Sequence, residues 1–331
     1  MHSHLITAKR WLLSFSLLIT CMSTSHADVY KNFENYTDIQ FIPELAGDCS
    51  STALRCHYSA KEKINDRGSD VLYEDNKWHL LLRHSLYQAQ VEKAMSEIYL
   101  YFMGYATDID IVKKDDEYFV ASRSFKNFIS WNRFESDSLT NNYTFQQDGT
   151  LLKGNQKESF IGLGQISALA YFFADADVTN SENYGIQEIN NVVRCIKIDN
   201  ADALEDLFEK DTPTIDSELQ QSNFGKNILS LKSYQDEKHN MLIKIANTNF
   251  TIIENILRKN ITTTSLEMAR WYLGRRLQSP DQEIRADALA DLDKLNNIDP
   301  KEYALDKTID KLKQRHQKLR IQLGLEQSKT R

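Results

Sequence analysis

The stretch that most constrains this chain is residues 162–204, GLGQISALAYFFADADVTNSENYGIQEINNVVRCIKIDNADAL. From Leu163 to Phe173 the residues are apolar or small, which suits a helix buried on all sides. A polar loop follows with Asp175-Ala-Asp177, then Asn183-Tyr-Gly185, two short strands of which the second is Val192–Ile198, and Asp199 at its end. Three carboxylates and a carboxamide thus stand at the edges of buried elements. Desolvating a charge is costly, so such carboxylates need a partner. Mg2+, which takes a few carboxylate oxygens together with substrate phosphates, is one. An acidic surface turn after a core helix, followed by an ordinary hairpin, is the alternative reading.

Upstream, Val71–Glu74 and Lys77–Arg83 read as a strand pair turned at Asp75-Asn76. Gln88–Met103 reads as a helix, with Val91, Ala94, Met95, Ile98, Phe102 and Met103 on one face and Glu97 in its middle. Ile109–Lys113 and Tyr118–Ser122 read as a second hairpin around residues 114–117. Residues 133–157 are polar and read as a loop or insertion. Beyond Asp199 the pattern turns helical, over residues 201–209, Glu237–Ile245, Phe250–Lys259, Thr264–Gln278 and Asp281–Asn296. Thr264 and Glu267 match a capping box. The tail 307–331 carries eight basic and two acidic residues, and Ile309, Leu312, His316, Leu319 and Leu323 give it one apolar stripe. Such a helix docks on the protein body with its charges in solvent, or lies on an anionic membrane surface.

The order of apolar helix, Asp-x-Asp, polar loop, Asn-x-Gly, strand and Ile-Asp resembles the catalytic and metal loops of the kinase-like superfamily. The resemblance is to the branch that holds phosphatidylinositol 3/4-kinases, HipA-type kinases and kinase-like effectors of intracellular bacteria of the Legionella type. It covers roughly residues 70–270 and rests on the order of the motifs. It implies an α+β, two-lobed fold: a small β-rich N-lobe with one helix over 28–130, a mostly helical C-lobe with the catalytic and metal loops over 131–296, and a basic amphipathic helix over 297–331. Asp177 would orient the attacking hydroxyl, and Asn183 and Asp199 would hold Mg2+. Arg83 and Glu97 would form the strand-to-helix ion pair that holds the phosphates of ATP, with Lys77 and Lys93 as other candidates for that contact. Phe125, Phe128 and Trp131 would line an adenine pocket or belong to the core. The implied reaction is Mg2+-assisted transfer of the ATP γ-phosphoryl group to a lipid or protein hydroxyl.

The chain departs from that family's pattern at named positions. The step from Asp177 to Asn183 is six residues where five is usual, Ala174 stands where Gly is common, and Asn200-Ala201 follows Asp199 in place of Phe-Gly. Arg83 replaces the usual Lys. Its planar fork binds phosphate bidentately but is bulkier. Residues 58–70 end in Arg67-Gly-Ser69 and carry no glycine-rich consensus. Two further readings therefore stand beside the kinase: a catalytically inactive kinase-like binding protein, and an exported helical adaptor unrelated to kinases.

Residues 1–27 have the layout of a secretory signal peptide: Lys9-Arg10, an apolar run Trp11–Met22, and Ser25-His26-Ala27 at the cleavage site. An uncleaved anchor is the other reading. An exported protein, periplasmic or secreted, is the expectation. The leader holds two basic and no acidic residues, so the remaining 304 carry a formal charge of −9 against −7 for the whole chain. That balance argues against general nucleic-acid binding. Cys49 and Cys56 suit a disulfide in an exported chain, or two free thiols. Cys195 lies within an apolar strand and reads as a small core residue. There is no HExxH, G-x-S-x-G or Walker A motif.

Overall fold

The computed structural model describes residues 30–42, 57–63, 71–83, 85–141, 143–153, 156–204, 207, 214–263, 273, 277, 282–297 and 305–326. The chain divides into two units, Met1–Lys31 and Asn32–Arg331. Only Tyr30 and Lys31 of the first are described, and the second carries the fold. The leader, the Cys49–Cys56 loop, Arg67-Gly-Ser69 and the capping box at Thr264 lie outside the described residues, as does the helix read over Thr264–Gln278 apart from Leu273 and Leu277.

The architecture is mixed α/β, with two six-stranded sheets and, among the described residues, nine α-helices. The first sheet contains β1 (Lys31–Asn32), β2 (Tyr36–Phe41), β3 (His57–Glu62), β4 (Tyr73–Arg83), β5 (Ile109–Lys114) and β6 (Glu117–Phe125), in the order β1-β5-β6-β4-β3-β2. The strand pair expected over 71–83 is instead the single strand β4. Asn76 adopts a left-handed φ of 51° where the register shifts, and its side chain accepts from Glu62 N and donates to Glu62 O. Asn tolerates that conformation. Its amide stands in for backbone pairing across the bulge, so the strand continues instead of turning back. The expected hairpin after it forms as β5 and β6, turned at Asp115 with φ 52°.

Between β4 and β5 runs α1 (Leu86–Met103), two residues longer at its start than the apolar spacing suggests. Ser85 caps it by accepting from Gln88 N, and Gly104, in the left-handed region, ends it. Along β4, Trp78 and Leu80 are buried with Tyr36, Ala60, Phe119 and Ala121. Side chains alternate along a strand, so His79, Leu81 and Arg83 share the opposite face.

The second sheet is the main departure from the expected helical region. It contains β7 (Phe128–Ser130), β8 (Tyr143–Phe145), β9 (Thr150–Lys153), β10 (Gln156–Ile161), β11 (Tyr184–Ile189) and β12 (Val192–Lys197), in the order β7-β11-β12-β10-β9-β8. Residues 133–157, read as a loop, hold most of α2 (Trp131–Asn141), the β8–β9 hairpin and the start of β10. Asp148-Gly149 makes that turn, with Gly149 at φ 86°. Such a dipeptide between short apolar runs is a hairpin signal. β10 pairs parallel with β12, and the chain between them holds α3 (Leu163–Phe173), the polar loop and β11.

The remaining helices are α4 (Ile215–Leu219), α5 (Asn223–Leu229), α6 (Lys232–Asn247), α7 (Phe250–Asn260), α8 (Gln282–Asn296) and α9 (Leu305–Gln322). Residues 201–204, expected to open a helix, form a turn. The principal core gathers α1, α3, α6, α7 and α9 around Leu163, Ile166, Leu169 and Phe173. Ile309, Leu312, His316 and Leu319 of α9 are buried in it. The apolar stripe of the tail is thus used inside the fold, which leaves a membrane only the charged face. Trp131 is fully buried against Phe134 and Tyr184, while Phe125 stacks on Tyr73. Both are core residues, and Phe128 packs against the same cluster as Phe125. Among the described residues, no helix is long and apolar enough to cross a membrane.

Candidate functional site

The polar loop after α3 and the end of β12 lie side by side. Asn183 O accepts from Ile198 N at 2.9 Å and from Asp199 N at 3.4 Å. Asn183 Nδ2 donates to Asp177 O at 3.2 Å and also to Asp177 Oδ2. The backbone acceptor fixes the amide's orientation, with Nδ2 and not Oδ1 toward Asp177. Asp177, Asn183 and Asp199, expected to act together, are brought together.

Arg83, at the end of β4, closes the site from the first sheet. Its Nη2 lies 3.0 Å from Asp199 Oδ1 and 2.6 Å from Glu92 Oε2, and its Nε donates to the same Glu92 oxygen at 2.7 Å. The helix partner of Arg83 is therefore Glu92, not Glu97. Glu97 instead accepts from Lys259 Nζ of α7, through both oxygens at 3.0 Å. The reason is helical geometry: five residues turn the side chain by roughly 140° and carry it past Arg83. Lys77 is also elsewhere, paired with Glu74 at 2.9 Å on the protein surface.

Residues outside the expected set complete the cluster. Lys197 Nζ lies 3.5 Å from Asp175 Oδ2, both side chains fully buried. Gln88 Nε2 donates to Asp202 Oδ1 at 3.0 Å. Asp175 was visible as the first Asp of Asp-x-Asp. Lys197 had a signal of its own, a lysine inside an apolar strand two residues before Asp199.

The electrostatics follow from crowding. Five carboxylates, of Glu92, Asp175, Asp177, Asp199 and Asp202, act on one another around the cations of Arg83 and Lys197. Burial pushes the Asp177 carboxyl up to about 7, against the pull of Lys197. Burial likewise raises Asp175 and Asp202, and raises Glu92 despite the adjacent Arg83. Asp199 runs the other way. Burial works to raise it, but Arg83 and then Lys197 outweigh that and hold it below the usual carboxylate range. An excess of buried carboxylates over cations favours an added cation or protons.

Hard oxygen donors suit Mg2+, which keeps several waters and takes one or two protein ligands plus phosphate oxygens. Asn183 Oδ1 and the Asp199 carboxylate fit that sparse demand. Among the described residues no group of three or more His, Cys, Asp or Glu side chains is arranged to hold a metal by itself. No family model and no curated protein matches the chain.

Proposed function

We propose that this chain is an exported kinase-like protein, two-lobed, whose Arg83–Glu92–Asp199 cluster binds Mg2+-ATP between the two sheets. The observation that supports this most is the Arg83 bridge. One cation from a strand is tied both to a carboxylate of the following helix and to a carboxylate after a later hairpin, beside an Asp–Asn loop. In that reading Asn183 and Asp199 hold the metal, which neutralises phosphate charge. Asp177 orients the hydroxyl of a lipid or protein acceptor. Positioning and charge neutralisation then account for most of the rate.

A second reading has its own observation. Nε and Nη2 of Arg83 are already committed to Glu92 and Asp199 at 2.6–3.0 Å, so a built-in guanidinium neutralises the carboxylate that a metal would need. That arrangement favours a kinase-like binding protein without turnover. It also suits an exported chain, since a kinase must first reach a compartment that contains ATP.

The test is the thermal stability of the chain with and without Mg2+-ATP, repeated on Asp199→Ala. A ligand that binds only the folded state raises the melting temperature. A metal-dependent rise that vanishes in the variant supports the cluster as a nucleotide site, and turnover of labelled ATP then separates the two readings. No rise in either protein removes both and leaves an adaptor.

A further inference from the structure

The polar loop between α3 and β11 is tied to the end of β12 at two places. Its far end is held by Asn183 O, which accepts from Ile198 N and Asp199 N. Its near end is held by Asp175, two residues before Asp177, through the 3.5 Å contact to Lys197, two residues before Asp199. This second tie has unusual chemistry. Both side chains have no exposed surface, and Lys197 Nζ and both Asp175 oxygens have no hydrogen-bond partner. A buried ion pair of that quality adds little stability, because desolvation offsets the attraction, and an apolar pair of similar volume serves the fold as well. Stability therefore does not explain why a charged pair stands here, but its position does. It stands at the base of the loop, outside the contacts that Asn183 makes to Asp177, Ile198 and Asp199, and ties that base to the end of β12. Thr107 Oγ1 anchors the same point from outside, donating to Lys197 O at 3.1 Å.

We infer that Asp175 and Lys197 are positioning residues, a buried ionic strut that ties the base of the Asp177 loop to the end of β12 and so supports the geometry in which a divalent cation and a polyphosphate are held together. The inference rests on the kinase-like reading above and adds to it a residue pair that touches neither ligand.

The experiment is titration calorimetry of the full chain with ATP, in excess Mg2+ and in EDTA, on the wild type and on the double variant Asp175→Leu with Lys197→Met. The double variant keeps the net charge of the site, and its ATP affinity in EDTA is the control for the local field, since Lys197 also acts on Asp177 and Asp199. The expected result is a folded protein with wild-type affinity for ATP in EDTA. Its affinity for Mg2+-ATP is weaker by about tenfold or more, the usual consequence of losing an outer-shell support. Unchanged Mg2+-ATP affinity in the folded double variant overturns the inference. Should that variant fail to fold, Asp175→Asn with Lys197→Gln, which keeps polar side chains of similar length and removes the ionic tie without a change of net charge, is held to the same outcomes. A wild type that binds no Mg2+-ATP marks failure of the kinase-like reading itself, whereas equal binding by wild type and variants marks failure of the strut alone.

Discussion

Arg83 and Asp199 meet at 3.0 Å, and through this contact the first sheet grips the end of the hairpin in the second. The same guanidinium holds Glu92, whose side chain is 1% exposed. Removing the cation leaves two carboxylates facing each other with little water. Arg83→Ala should therefore cost about 3–5 kcal/mol, as for other broken buried pairs. Arg83→Lys keeps the charge but lacks the fork, and should fall between the two. Urea unfolding of the three proteins measures this. A loss under about 1 kcal/mol for Arg83→Ala would mean that the pair behaves as an exposed one.

The start of α3 depends on a residue far along the chain. Gly162, at φ 98°, precedes the helix and offers no side-chain cap. Glu237 of α6 takes that role, accepting from Gly162 N at 3.0 Å and from Gly164 N at 3.2 Å. Gly164 allows the approach, since a Cβ there would run into the Tyr234 carbonyl and lie 2.9 Å from Lys238 N. Glu237→Ala should lose about 1–2 kcal/mol, the range for a missing cap. Gly164→Ala should lose more, because backbone and not a side-chain tip must move. Thermal melts of both variants check the ranking, and a Gly164→Ala protein as stable as wild type would contradict it.

What the sequence made legible was local. The uninterrupted run Leu163–Phe173 became α3 with those boundaries, and Asp177, Asn183 and Asp199 converged in the order read. What it hid depended on direction in space. Glu92 was missed because it lies beside Val91 and Ala94 on the buried side of α1, where apolar spacing draws attention away from a charge. Arg83 chose it over Glu97 by helical phase, which no spacing along one chain reports without the neighbouring strand. The second sheet was missed for another reason. β8 and β9 are only three and four residues long, and the polar residues around them give the stretch the pattern of a loop, although Asp148-Gly149 marked the turn. Glu237 had no signal at all, since its role exists only once α6 lies across the start of α3.

Asp216, in the short helix α4, gathers three donors from two other helices. Ser167 Oγ of α3 donates at 3.0 Å, and Tyr234 OH and Lys238 Nζ of α6 donate at 2.5 and 2.6 Å. Burial works to raise this carboxyl, but these partners, Lys238 first, hold it below the ordinary range. Asp216→Ala leaves all three donors without their acceptor and should cost about 2–3 kcal/mol by the desolvation penalty. Asp216→Asn retains one acceptor oxygen and should cost less. Chemical denaturation of the pair decides it, and equal losses would show that charge, not acceptor count, dominates.

His79 of β4 sits half-buried with its Nδ1 3.0 Å from His57 Nε2 on the neighbouring strand. Burial lowers its pKa to about 4, with Lys77 adding to the effect and Glu74 opposing it. In the unfolded chain a histidine titrates near 6.5. Between those values the unfolded state binds the proton and the folded state does not, so acidification favours unfolding. The stability carried by neutral His79 is whole above about pH 6.5 and is lost as pH falls toward 4, a difference of about 3 kcal/mol at 1.36 kcal/mol per unit. His79→Gln removes the titrating group while keeping an amide able to pair with His57. The difference in unfolding free energy between wild type and variant, followed from pH 7.5 to about pH 4, should slope against the wild type across that window. Parallel curves would show that His79 takes up its proton without leaving the folded state.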